Sequence, residues 1–193
     1  MNILVSAYKS YLSKRFNIKE VANDNILNLG GTREGTFSVI QSLFNKKIKS
    51  KKPYVLMPNP FYQIYGGATL LAGGISKQIN LNEDNGFSLD LNSINENIWK
   101  KCQIFITCSP SNPTGSVLKE DEIRKIIKLS RKYGFYIVSD ECYIDIYRES
   151  KPKSFIEISY KQFRNFKNIV SLHSLSKRSV SYTHLRAHET DRH

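Results

Sequence analysis

The stretch CQIFITCSPSNPTGSVLKEDEIRKIIKLSRKYGFYIVSD, residues 102–140, decides the fold class. Ile104, Phe105 and Ile106 form an apolar run of the length a buried strand needs. Pro110, Asn112, Pro113 and Gly115 then mark a loop over 109–115, and residues 118–133 carry apolar side chains at helical spacing until Gly134 stops the helix. Its charges follow the helix dipole: Glu120, Asp121 and Glu122 lie in the first turns, and Lys128, Arg131 and Lys132 near the end. A second β-rich run, 135–139, follows at once. Strand, loop, amphipathic helix and strand make one crossover unit, which predicts neighbouring parallel strands in a sheet with a helix on its face.

The same alternation continues outward. Phe37, Ile40 and Phe44, with Val39 and Leu43 beside them, predict a helix over 34–48 that opens near Arg33. Tyr54 to Met57 is an apolar run stopped by Pro58 and Pro60, hence a buried strand; 61–71 reads as a helix closed by Gly73 and Gly74, and 75–81 as a strand before an Asn/Asp/Gly turn. Residues 169–172 are another β-rich run. The pattern is an α/β domain around a largely parallel sheet. The lysine-rich run 46–52 reads as a solvated helix end and loop, because no aromatic residue interleaves with the lysines to stack on bases.

Composition bounds the partners. The 193 residues are 40% hydrophobic and 24% charged, which suits one folded domain and excludes collagen-like and wholly disordered chains. A net charge of +12 attracts nucleic acid, anionic membrane or acidic metabolites without choosing among them. Cys102, Cys108 and Cys142 form no CxxC pair, so neither a disulfide framework nor a zinc module is expected, and a reducing cytoplasm fits. The first residues lack a basic segment ahead of their apolar patch, and the longest weakly polar stretch, 65–75, is too short to span a bilayer. After residue 179 the composition shifts: three of the four histidines and no lysine lie in 180–193. His184 and His188 would share a helix face, but no HExxH glutamate accompanies them, so a frayed or artefactual terminus is expected rather than a metal site.

In open α/β sheets ligands sit beyond the carboxyl ends of the strands, so the post-strand loops carry the candidate chemistry. Gly30-Gly31-Thr32-Arg33-Glu34 is a glycine turn entering a helix, where free N–H groups suit a phosphate, although it matches neither a Walker A motif nor GxGxxG. In 109–115 two prolines fix the backbone around Asn112, whose amide can donate to a ligand oxygen. Asp140, at the end of a buried strand, needs a cationic partner to stay charged. Lys177 sits among Ser171, Ser174 and Ser176, a place where a neutral, reactive amine is accessible. Taken singly, each has a plain alternative: a helix cap for Thr32 or Asp140, core packing for Tyr62, a turn for Asn112, a buried thiol for Cys142, a structural ring for His173.

Together, SPSNPTG, SDECY and SLSK, in that order and with GGTRE and PNPFY (58–62) upstream, resemble the fold-type I pyridoxal-phosphate enzymes, specifically the class I/II aminotransferases. GTRE, PNPFYQIY, SDECYIDIY and SLSKRS are most similar to the N-succinyldiaminopimelate aminotransferases of lysine biosynthesis. The resemblance covers roughly 21–179. It implies a three-layer α/β/α fold with a mostly parallel sheet, the large pyridoxal 5′-phosphate domain of the aspartate-aminotransferase-like fold. It implies that Lys177 forms the Schiff base and shuttles a proton, and that Asp140 pairs with the pyridinium nitrogen. Asn112 and Tyr143 would donate to the phenolic oxygen and Tyr62 would stack on the ring. Backbone N–H groups of Thr32 and Arg33, with the Ser174 hydroxyl, would hold the phosphate. The division implied is an incomplete N-terminal helical segment (1–20), a partial large domain (21–179) and a tail outside the family pattern (180–193). The family's C-terminal small domain is expected to be missing, Arg186 lacks the Pro-Gly context of the family's phosphate arginine, and the fragment is expected to be inactive alone. Implied partners are amino acids and 2-oxo acids, with no nucleic acid or membrane, in a cytoplasmic protein that is a homodimer at full length. The alternatives are a pyridoxal-phosphate-binding regulatory domain and another fold-type I aminotransferase or lyase.

Overall fold

The computed structural model describes residues 3–45, 52–84 and 86–179. Among the described residues seven α-helices, α1 (Ile3–Phe16), α2 (Thr32–Leu43), α3 (Ile64–Leu71), α4 (Glu96–Lys101), α5 (Glu120–Tyr133), α6 (Phe155–Phe163) and the short α7 (Leu175–Ser179), surround five strands. These are β1 (Tyr54–Asn59), β2 (Ile75–Asn80), β3 (Cys102–Cys108), β4 (Tyr136–Asp140) and β5 (Ile169–Leu172). They form one sheet in the order β2-β1-β3-β4-β5, every pairing parallel. From β1 the chain steps outward to β2 on one side, and from β3 to β4 and β5 on the other. Right-handed crossovers therefore put α3 on one face and α5 and α6 on the opposite face.

The strands alternate accordingly. Leu56, Phe105 and Ile137 face α4, α5 and α6, and pack on Trp99, Ile123, Ile126, Ile127, Phe135, Phe155 and Ile158. Val55, Met57, Ile104, Ile106 and Val138 face α2 and α3, and pack on Ile40, Tyr65 and Ala68. β3 is buried along its whole length, as a central parallel strand requires. Gly134 ends α5 with a φ of 71°, a left-handed conformation that costs glycine little. At Gly35 a Cβ would lie 2.5 Å from Leu29 Cδ1, so the glycine lets α2 approach closely. Helix α1 is tied down by Leu12 and Phe16, which cluster with Ile18 and Ile144, and by Arg15, whose Nε donates to Asp145 Oδ1 at 2.9 Å.

Several predicted boundaries move. Helix α2 starts at Thr32 and stops at Leu43, short of 48, because Phe44 is already extended; the lysine-rich run 46–51 lies outside the described residues, as does the tail from 180. Helix α3 starts at Ile64, not 61: Tyr62 closes a turn by accepting the Tyr65 amide at 3.0 Å, and its side chain is held elsewhere. Helix α5 starts at Glu120, two residues after the predicted 118, because the Glu122 carboxylate reaches back to the Lys119 amide at 2.7 Å and fixes the cap there. The sequence reading gave no element to α4 or α6.

Candidate functional site

Because the sheet is wholly parallel, every strand discharges its following loop at one rim. Tyr62 follows β1, Asn112 follows β3, Asp140 ends β4 with Tyr143 just beyond, and Ser174 and Lys177 follow β5. The N-terminus of α2 closes on the same rim by two side-chain contacts. Thr32 Oγ1 lies 2.9 Å from Cys142 Sγ, and Arg33 Nε donates to the Tyr62 hydroxyl at 2.7 Å, its guanidinium carbon 5.8 Å from that ring's centroid. The first N–H groups of α2, those of Thr32 and Arg33 among them, have no acceptor within the helix, and so are available to an anion.

Asp140 is the centre of the cluster, 6% exposed. Its Oδ2 accepts the Tyr65 hydroxyl at 2.8 Å and its Oδ1 the Cys142 amide at 3.3 Å. Among the described residues no lysine, arginine or histidine pairs with it. The acids around it are neutral donors. Burial, with the Asp140 charge adding, pushes the Cys108 thiol up to about 12 and raises Cys142 and Tyr65 well above their ordinary values. Tyr143 is raised by burial first and by the negative charge of its neighbours second. A buried carboxylate ringed by neutral donors and lacking a counter-charge fits a cationic ring nitrogen, so the residues present suit pyridoxal phosphate.

The expected residues are brought together unevenly. Asn112 and Tyr143 line one groove of about 360 Å³ with Ser111, Gly115 and Ile146. The Tyr62 ring meets Tyr65 edge-on at 5.9 Å, which links it to Asp140 through the Tyr65 hydroxyl. The Ser174 hydroxyl accepts the Ser176 amide at 3.1 Å and so caps α7. Lys177 is exposed on α7 at the rim, without a hydrogen bond or ion pair to any described residue. Tyr65 and Cys108 are the residues that sequence reasoning missed. The available signal for Tyr65 was its position one turn after Tyr62 on the apolar side of a helix, since a buried tyrosine needs a partner for its hydroxyl. No group of three metal-ligating side chains occurs among the described residues, and His184 and His188 lie outside them.

The sequence profile described as Aminotransferase class I and II matches residues 3–183, extending beyond the 21–179 that the motifs delimit. The LL-diaminopimelate aminotransferase of Aquifex aeolicus is 30% identical over 173 residues, 89% of this chain and 42% of that protein. A solved aminotransferase from Neisseria meningitidis superimposes with a TM-score of 0.83 at 41% identity, over 91% of this chain and 44% of the other. The structure of a probable N-succinyldiaminopimelate aminotransferase from Thermus thermophilus gives 0.78 at 25% identity, over 90% and 44%. The chain thus spans less than half the length of these relatives. With the profile matched across nearly its whole length, the chain belongs to the class I and II aminotransferases, a family that depends on pyridoxal 5′-phosphate.

Proposed function

We propose that this chain is the cofactor-holding part of an aminotransferase that exchanges an amino group between glutamate/2-oxoglutarate and N-succinyl-diaminopimelate in lysine biosynthesis. The observation that carries the reading is Asp140, a buried carboxylate at the strand rim with no cationic partner among the described residues. Pyridoxal phosphate, when bound, supplies an aldehyde that takes the amino group and a ring that withdraws electrons. The chain's residues do the rest. Asp140 keeps a proton on the ring nitrogen, and the Tyr65 hydroxyl on its Oδ2 steadies the carboxylate in that task. Asn112 and Tyr143, on one groove, donate to the ring oxygen. The N–H groups of Thr32 and Arg33 and the Ser174 hydroxyl hold the phosphate, Tyr62 covers the ring, and the Lys177 amine moves the proton at the substrate's α-carbon.

Two names among the relatives support the substrate class, one acting on LL-diaminopimelate and one on its N-succinyl form. The +12 charge suits substrates with several carboxylates. Full-length protein is proposed to be a cytoplasmic homodimer. Exposed Leu27, Leu70 and Leu71 offer apolar surface of the kind a subunit contact covers, and Cys102, Cys108 and Cys142 form no disulfide.

The test is reduction by borohydride in the presence of pyridoxal phosphate, followed by peptide mapping. A phosphopyridoxyl group concentrated on Lys177 is expected; a label spread evenly over exposed lysines defeats the reading. In the full-length protein, 2-oxoglutarate release from glutamate should require the succinylated oxo acid and should vanish with Lys177→Ala. Equal rates with unrelated oxo acids would sink the substrate assignment.

A further inference from the structure

Glu141 stands one residue past Asp140 and is buried as deeply, yet the cofactor reading gives it no part. Its Oε1 accepts the Ser139 hydroxyl at 2.9 Å and the Phe155 amide at 3.1 Å, while its Oε2 faces His173 Nε2 at 3.0 Å. Ser171 Oγ also lies 3.0 Å from Nε2. Burial pushes the Glu141 carboxyl up, but His173, by its hydrogen bond and by its charge when protonated, and then the bonds from Ser154 and the Phe155 amide outweigh it and hold the group below its ordinary value. The His173 ring is enclosed by Tyr8, Tyr11 and Phe16 of α1, each nearly edge-on with centroids 5.7–5.8 Å away. Its Nδ1 is buried there without a partner.

The position of this pair matters more than its burial. Backbone pairing of β4 with β5 ends at Asp140 and Leu172, and the Glu141 amide donates one further bond to the Leu172 carbonyl at 2.9 Å. The next link between the two chain segments is the side-chain contact of Glu141 with His173, four positions before Lys177. We propose that Glu141 and His173 form a latch that positions the Lys177 turn relative to the Asp140 end of β4, closed from outside by α1. The proposal rests on the assignment of Asp140 and Lys177 to one cofactor site. Both members are positioning residues, acting through the lysine turn rather than on the reacting atoms. A carboxylate only accepts, so Nε2 carries the ring's proton and Nδ1 is the bare nitrogen.

His173→Gln and His173→Phe separate a latch from simple packing. A glutamine amide nitrogen reaches the place of Nε2 and still donates to Glu141, whereas phenylalanine fills the aromatic box and donates nothing. Each variant is treated with pyridoxal phosphate and cyanoborohydride, and the adduct on Lys177 is measured against that on surface Lys128, so that general loosening cancels. The Lys177 to Lys128 ratio should fall about tenfold in His173→Phe and stay within about threefold of the parent in His173→Gln. A preference for Lys177 that survives His173→Phe overturns the latch and leaves the cofactor reading standing. No preference for Lys177 in the parent defeats that reading, and the latch with it. Should His173→Phe not fold, nitrogen NMR of the parent decides: His173 protonated on Nε2 with slow exchange is expected, and protonation on Nδ1 or rapid exchange of the Nε2 proton overturns the proposal.

Discussion

Strand β3 sends Phe105 to one face of the sheet and Ile104, Ile106 and Cys108 to the other, and the two faces are finished differently. On the Phe105 side, Trp99 lies between aromatic neighbours, 5.5 Å from Phe135, 6.2 Å from Phe105 and 6.4 Å from Tyr133, with the planes within 30° of parallel. The buried hydroxyl of Ser130 there is satisfied by the Phe135 carbonyl at 2.6 Å. On the other side the apolar packing gives way toward the rim to Tyr65, Cys108, Cys142 and Asp140, a set of polar groups whose one formal charge has no opposite in the described chain. A sheet face of stacked rings whose buried Ser130 hydroxyl is satisfied within the chain serves stability, whereas a face that ends on an uncompensated carboxylate is built for something that arrives from outside.

The largest expected effect breaks the first face. Phe105→Ala removes a fully buried ring from the stack and should cost about 3–5 kcal/mol, read as a lower denaturant midpoint. Molecules that remain folded should still direct pyridoxal phosphate to Lys177, since Phe105 points away from the rim. Loss of that selectivity in folded protein would show that the faces are not independent.

On the second face, Tyr65→Phe takes the donor from Asp140 Oδ2 while leaving the ring in place, and about 1–3 kcal/mol of stability should go with it. Tyr62→Phe is the comparison: that residue is partly exposed, its hydroxyl partner Arg33 can turn to water, and the change in denaturant midpoint should be much smaller. Equal midpoints for the two variants would mean that the Tyr65 to Asp140 contact contributes nothing.

What the sequence made legible follows the same division. The apolar face was readable because Ile104 to Ile106 and the Ile123, Ile126, Ile127 stripe carry their periodicity locally. The rim residues Thr32, Arg33, Tyr62, Asn112, Asp140, Tyr143, Ser174 and Lys177 were nameable only as a set of motifs in order. Tyr65 escaped because its importance lies in a contact 75 positions away: its place one turn after Tyr62 marks a buried hydroxyl in need of a partner, but nothing in GGATLL beside it says that the partner is a distant strand end. Helices α4 and α6 escaped for a different reason: they are short, and their hydrophobic stripes hold only two or three residues. Their caps were nonetheless written out, Asn95 for α4 and the Ser154–Glu157 capping box for α6, and would have found them.

Alkaline pH tests whether the thiols of the second face are as sequestered as their burial implies. Cys108 has its folded pKa raised to about 12. Its contribution to stability is therefore complete below the unfolded thiol's pKa, about 8.5–9, and is lost as pH rises from there toward 12. By pH 10 the parent should have lost about 1–2 kcal/mol through this group, a loss absent from Cys108→Ala. Identical pH profiles for the two proteins would show that the thiol titrates as it does in solution.

The smallest effect returns to the apolar face, at the start of α6. Ser154 is fully buried, its hydroxyl accepts the Ile156 amide at 3.2 Å, and the Glu157 carboxylate reaches back toward the Ser154 amide. Ser154→Ala strands one N–H of the first turn and should cost about 1 kcal/mol by thermal or denaturant unfolding, with Ser154→Asp recovering most of it. Lys153→Ala removes the ion pair to the same Glu157, 2.8 Å in length, and should cost less than about 0.5 kcal/mol, because the lysine lies outside the helix and solvent screens its half-exposed amine. The Phe155 amide, next in line, is bound to Glu141 rather than to the cap. Loosening the cap should therefore leave the preference of pyridoxal phosphate for Lys177 unchanged, and a preference that fell along with stability would tie the start of α6 to the rim through Glu141.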